Sequence, residues 1–262
     1  MQTRRQFLMQ TGIATLALGL PSIACGKPYN ERPNWMRCLV AEGERRTFQN
    51  PVEDIHYYMR VLGLPIQRTI ETPVHGDTHD LNNRLSQHPY GNGWTFHRGL
   101  YFLNGDYTVF PEPRITIEQV NENVPNTLKL TEFNGYYLTK LVSVRNNEPL
   151  YILDELRAFT HGAIYNSRVT RDNNRNGSTS LLEFVIYALA LGKTIKEKVP
   201  YYWDSPLGKD LQDCLRFSVN QGFAAEVSQT FVKDPRQFVI NRMAPFMDNN
   251  LTDFAKNSLG WS

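Results

Sequence analysis

The stretch PLYILDELRAFTHGAIYNSRV, residues 149 to 169, decides the fold. Leu150, Ile152, Leu153, Leu156, Phe159, Ala163 and Ile164 recur at helical spacing and form one broad apolar face, so the stretch reads as a buried helix. Asp154, Glu155, Arg157 and His161 interrupt or border that face. A charge taken out of water must find a partner, and two accounts of these residues are open. Asp154 and Arg157, three residues apart, can pair and simply fix helix packing. Alternatively, Glu155 held in an apolar wall has a raised pKa and serves as an acid or base. His161 would then be its relay partner through a ligand or another segment, because six residues of separation do not set the two side by side.

Downstream, the polar turn RDNNRNG (171 to 177) leads into a strongly apolar helix through Leu191, with Lys193, Lys196 and Lys198 where they suit the helix dipole. Further helices are expected over 209 to 232, 235 to 243 and 251 to 261. Upstream, helices are expected over 115 to 121 and 126 to 144, with Gly135 a weak point in the second. Before them lies the clearest local signal: Leu100 to Leu103, then Asn104-Gly105, then Asp106 to Phe110. Asn-Gly supplies the positive φ angles that a two-residue hairpin turn needs. Short strands are expected at 38 to 41 and 65 to 72, and a helix begins at Asn50-Pro51 and stops at Gly63. No repeat and no linker divides residues 37 to 262. The expectation is one α+β domain, with a small N-terminal sheet containing a β-hairpin and a predominantly helical C-terminal half. At 262 residues and 41% apolar content, the chain can bury a substantial core.

At the N-terminus, Thr3-Arg4-Arg5-Gln6-Phe7-Leu8-Met9 precedes a moderately apolar run from Gly12 to Leu20, Pro21 and the small-x-small pattern Ser22-Ile23-Ala24. The first seven of these resemble the twin-arginine export motif, with Met9 departing from its usual Lys. The resemblance implies cleavage after Ala24, passage through the twin-arginine machinery and a place in the periplasm or cell envelope. The apolar run is short of the roughly 20 residues that a membrane span requires. Cys25 directly follows Ala24, so a lipid anchor there is an alternative to simple cleavage, although Ser22 stands where lipoprotein signals place Leu. Residues 25 to 36 read as a tether. Cys38 and Cys214 then form an even pair that an oxidising compartment can bridge, or two independent thiols. Without Arg4 and Arg5, the 28 Lys and Arg fall to 26, equal to the 26 Asp and Glu. That balance disfavours a nucleic-acid partner or a charged membrane surface.

Residues 73 to 94 read as the longest irregular region, with a short helix over 80 to 87. Inside it, His75-Gly76-Asp77-Thr78-His79-Asp80 gathers imidazoles and carboxylates of the kind a divalent metal ion uses, with His75, Asp77 and His79 as candidate ligands. Pro73 and Gly76 argue against a regular helix, so convergence would need a special loop; the alternative is a polar surface turn. The helical His-Glu-x-x-His motif of zincin peptidases has a comparable place only at Thr131-Glu132-Phe133-Asn134-Gly135, where the ligand positions hold Thr and Gly. No nucleophile elbow, phosphate-binding loop or dinucleotide fingerprint occurs. Two functional readings therefore stand: an exported envelope protein with a binding or non-catalytic role, or a hydrolase. The hydrolase would be metal-assisted through His75, Asp77 and His79, or would work by acid/base chemistry through Glu155.

Overall fold

The computed structural model describes residues 33–66, 73–87, 97–170, 176–228 and 241–260. The twin-arginine stretch, the cleavage site, Cys25, most of the expected strand at 65 to 72 and the expected helix start at 235 lie outside them. The described residues form an α+β fold, mostly helical, with one three-stranded antiparallel sheet in the order β1-β3-β2. The strands are β1 (Arg37–Cys38), β2 (His97–Phe102) and β3 (Asp106–Pro111). Asn104 (φ 68°) and Gly105 (φ 79°) make the β2–β3 turn, the left-handed pair that an Asn-Gly hairpin requires.

β2 is buried on both faces, and its alternation separates two cores. Leu100 and Phe102 join the larger cluster with Phe110, Leu153, Leu156 and the aliphatic side chains of the later helices. Tyr101 points the other way, into a smaller cluster with Ile55, Tyr58, Met59, Leu81 and Leu85. One cluster is built with helices Pro51–Val61 and Pro73–Ser86 and the other with helices Tyr151–Tyr165, Asn176–Lys198 and Pro206–Ser228, and beside the sheet the Pro73–Ser86 and Tyr151–Tyr165 helices pack directly on each other. Trp35, which sequence places in the tether, is 6% exposed and stacks edge-on against Phe102 and Phe217. The fold therefore takes hold of the chain by that residue. Among the described residues no helix is long and apolar enough to cross a membrane. Cys38 and Cys214 are free thiols, and burial pushes the Cys214 thiol up to about 12.

Two departures from the sequence reading matter. The region expected to be irregular holds a regular helix over Pro73–Ser86. Proline at the first helical position is already set to the helical φ, and its missing N–H is one that no helix start would use, so Pro73 opens the helix. Gly76 costs about 1 kcal/mol of propensity, which packing on the sheet outweighs. The second departure is at 126 to 144. There the single expected helix is replaced by turns, a π-helical segment over Asn134–Lys140 and a short helix Val142–Arg145.

The Pro73–Ser86 helix seats directly on β2. Asn82 Oδ1 accepts from the Tyr101 backbone N–H at 2.6 Å, and Ser86 Oγ accepts from that of Gly99 at 2.8 Å. A Cβ on Gly99 would lie 2.7 Å from Asn82 O and 2.8 Å from Ser86 N, both backbone atoms that cannot swing aside. Gly99→Ala should therefore cost about 1–3 kcal/mol by overpacking, measured as a lowered denaturant midpoint. On the same side, buried Asp54 accepts from the Tyr101 hydroxyl and from Asn104 N, which ties the hairpin turn to helix Pro51–Val61. Burial, opposed by those two hydrogen bonds, raises its carboxyl to about 7. The folded state thus holds a proton that the unfolded chain releases near pH 4. This contribution is complete below about pH 4 and lost as pH rises through 7. Denaturation series from pH 4 to 7 should show wild-type stability falling relative to Asp54→Asn; parallel curves would refute the assignment.

Candidate metal centre

In a helix, residues four apart share a face and residues two apart do not. His75 and His79 therefore project together from the Pro73–Ser86 helix, and their Nε2 atoms lie 3.1 Å apart. The helix Tyr151–Tyr165 brings Glu155 against them, with Oε2 3.4 Å from each Nε2. Glu155 is 2% exposed, and Oε2 makes no hydrogen bond of acceptable geometry. A separation of 3.4 Å is long for a bond between ions, which closes to about 2.8 Å. It is the expected edge between two ligands of one ion: bonds of 2.0–2.1 Å in a tetrahedral site set donors roughly 3.3 Å apart. Among the described residues these three side chains are the group able to hold a metal ion.

The surroundings orient the donors. His79 Nδ1 bonds Asp154 Oδ1 at 2.9 Å, which fixes the ring and leaves Nε2 facing His75 and Glu155. Asp154, 1% exposed, also accepts from Asn82 Nδ2 at 2.6 Å and has Arg98 Nη1 3.4 Å from its second oxygen. Arg98 reaches on to Glu148 and Glu112, and Glu112 Oε2 accepts from Leu150 N at the head of the Tyr151–Tyr165 helix. Tyr151 donates its hydroxyl to Glu155 Oε1. Phe159 packs edge-on to the His75 ring at 4.6 Å. The histidine side chains keep 23% and 21% exposure, so the donors meet at the edge of the solvent.

The electrostatics point the same way. Burial lowers the His79 pKa, but the charge and hydrogen bond of Asp154, with the charge of Glu155 beside it, overcome it and carry the group up to about 10. Burial alone would raise Glu155, yet His75 and His79 beside it draw it down to about 2. The cluster is a seat for positive charge, filled by a proton or by an ion that competes for the same lone pairs.

Two residues named from sequence fall outside this centre. Asp77 lies two residues from each histidine and turns away to pair with His56 Nε2 at 2.7 Å, so it is not a ligand. His161 is fully buried. Its Nδ1 meets Thr78 Oγ1 at 3.1 Å and its Nε2 meets Arg157 at 2.9 Å, so it holds the two helices together and is no relay for Glu155. The expected Asp154–Arg157 pair is absent too, because Asp154 is spent on His79, Asn82 and Arg98. Arg157 instead binds Tyr101 O, Gln221 and His161, over the Phe102 ring. Thr131 accepts from Asn134 N and donates to Glu183, a local polar contact with no part in the centre. From sequence, His75 and His79 on one side and Glu155 on the other stood as separate candidate sites whose meeting would favour an enzyme, and the structure brings the three donors together. The available signal was the four-residue histidine spacing.

No protein-family model, curated protein or solved structure matches this chain, so the functional reading rests on the geometry alone. Asp154→Asn keeps the shape but weakens the hold on the His79 tautomer. Zinc affinity by competition titration should fall about 10–100-fold, and an unchanged affinity would remove Asp154 from the outer shell.

Proposed function

We propose that this chain is a metalloprotein that binds one zinc-type ion through His75, His79 and Glu155, and that it acts as a metal-assisted hydrolase. The observation that carries this reading is the triangle of Nε2, Nε2 and Oε2 atoms at 3.1, 3.4 and 3.4 Å, with Oε2 otherwise unbonded. Three protein donors leave a fourth position for water, the pattern of catalytic rather than structural zinc. An ion held by these three residues would supply a water that ionises near neutral pH and so would need no side-chain base.

That last point matters because the helix over Pro73–Ser86 gives His75 and His79 the ligand spacing of the His-Glu-x-x-His motif, a place the sequence reading allowed only at 131 to 135, and Gly76 stands where that motif carries its base. Gly76 supports a second reading, in which the ion captures a ligand at its open position and does not turn it over. The N-terminal sequence supports export by the twin-arginine route to the periplasm or envelope, with lipidation of Cys25 as the alternative to cleavage. Proteins loaded with a cofactor before export use that route, which suits a centre assembled from segments as distant as 75–79 and 155.

Mature protein should carry close to one equivalent of zinc by inductively coupled plasma mass spectrometry, and His79→Ala of unchanged circular dichroism should carry almost none. Wild type that takes up no metal on reconstitution would end the proposal. Hydrolysis of 4-nitrophenyl acetate by the zinc-loaded protein separates the two readings. A Cβ on Gly76 meets nothing within 4 Å, and Gly76→Glu should raise the rate about 10²-fold by adding the base. Activity in wild type supports the hydrolase. Activity that appears only in Gly76→Glu supports ligand capture.

A further inference from the structure

Glu155 offers two oxygens, and which of them an ion can use determines its coordination number. Oε2 faces both histidine Nε2 atoms and has no hydrogen bond. Oε1 already accepts the hydroxyl proton of Tyr151, one helical turn earlier on the same face. Tyr151 is itself held: its ring stacks on His79 with centroids 6.2 Å apart, and the guanidiniums of Arg145 and Arg98 lie 4.4 and 5.8 Å from its centroid. The His79 ring and the two guanidiniums packed on it leave the phenol little freedom to swing off the carboxylate.

We propose that Tyr151 is a positioning residue that keeps Glu155 a one-oxygen ligand and so keeps the ion four-coordinate, with a single open position. This rests on the metal reading above and adds to it the coordination geometry of the centre. A carboxylate freed at Oε1 can bind through both oxygens, giving a five-coordinate ion that is a weaker Lewis acid. Its bound water ionises at higher pH. The Tyr151 hydroxyl thus supports the chemistry at the ion without touching substrate.

Cobalt(II) substitution tests this, because the intensity of its visible absorption reports coordination number. The cobalt-loaded wild type should show the strong bands of a four-coordinate ion. Tyr151→Phe, which keeps the ring and its stacking, should bind the same one equivalent of cobalt with band intensity reduced to about half or less. Tyr151→Leu, lacking ring and hydroxyl alike, should show the same loss, so a poorly folding Phe variant does not leave the question open. In zinc-loaded protein with esterase activity, the pH midpoint of the rate should move upward in Tyr151→Phe, a shift that a merely structural role would not cause. Equal cobalt spectra in wild type and both variants would overturn the assignment while leaving the metal centre standing. Failure of the wild type to bind cobalt at all would bring down both.

Discussion

The buried carboxylate of Asp154 is the constraint on which the rest of this structure depends. An anion at 1% exposure must have its lone pairs answered by donors, and here they come from three side chains on two elements: His79 and Asn82 on one helix and Arg98 on β2. Satisfying one charge therefore fixes the distance between the Pro73–Ser86 helix, the sheet and the Tyr151–Tyr165 helix together. Asn82 is the hinge of that arrangement, since its amide donates to Asp154 while its carbonyl accepts from the Tyr101 backbone. The fold and the candidate site are one network.

The consecutive residues Asp154 and Glu155 divide the work on a single imidazole. Asp154 takes Nδ1, and Glu155 approaches Nε2 together with His75. With a proton as the cation, His79 is an imidazolium between two carboxylates and the cluster is an ion-pair network. With a divalent ion, the same atoms become ligands and the proton leaves. One geometry accommodates both, which is why the distances and the unbonded Oε2 carry more weight here than the charges do.

What was legible in the sequence was what neighbouring residues determine. Asn104-Gly105 specifies its turn from two residues, and the apolar spacing of 150 to 164 specifies its helix from fifteen. The histidine helix was hidden because Pro73 and Gly76 have opposite meanings at different places: breakers within a helix, but an allowed start and a tolerated first turn at its head. Once that segment is helical, the geometry sorts its residues. His75 and His79 come to one face, and Asp77 is sent to the other. The fate of Asp154 was not legible, because its partners lie at positions 79, 82 and 98, and nothing local distinguishes them from Arg157, three residues away. His161 looked like a titrating group for the same reason. Its environment, made by Thr78 and by the burial of Arg157, is entirely tertiary.

Among the described residues β2 is the end strand of its sheet, and end strands ordinarily present a row of unsatisfied N–H groups to any extended chain that passes. Here Asn82 and Ser86 occupy those of Tyr101 and Gly99, and the close approach allowed by Gly99 leaves no room for a second strand. The helix that carries the histidines thus also works as a cover against edge-to-edge aggregation. A chain that must stay soluble until its helices have closed around Asp154 gains from having its most apolar strand sealed by the element that builds its site.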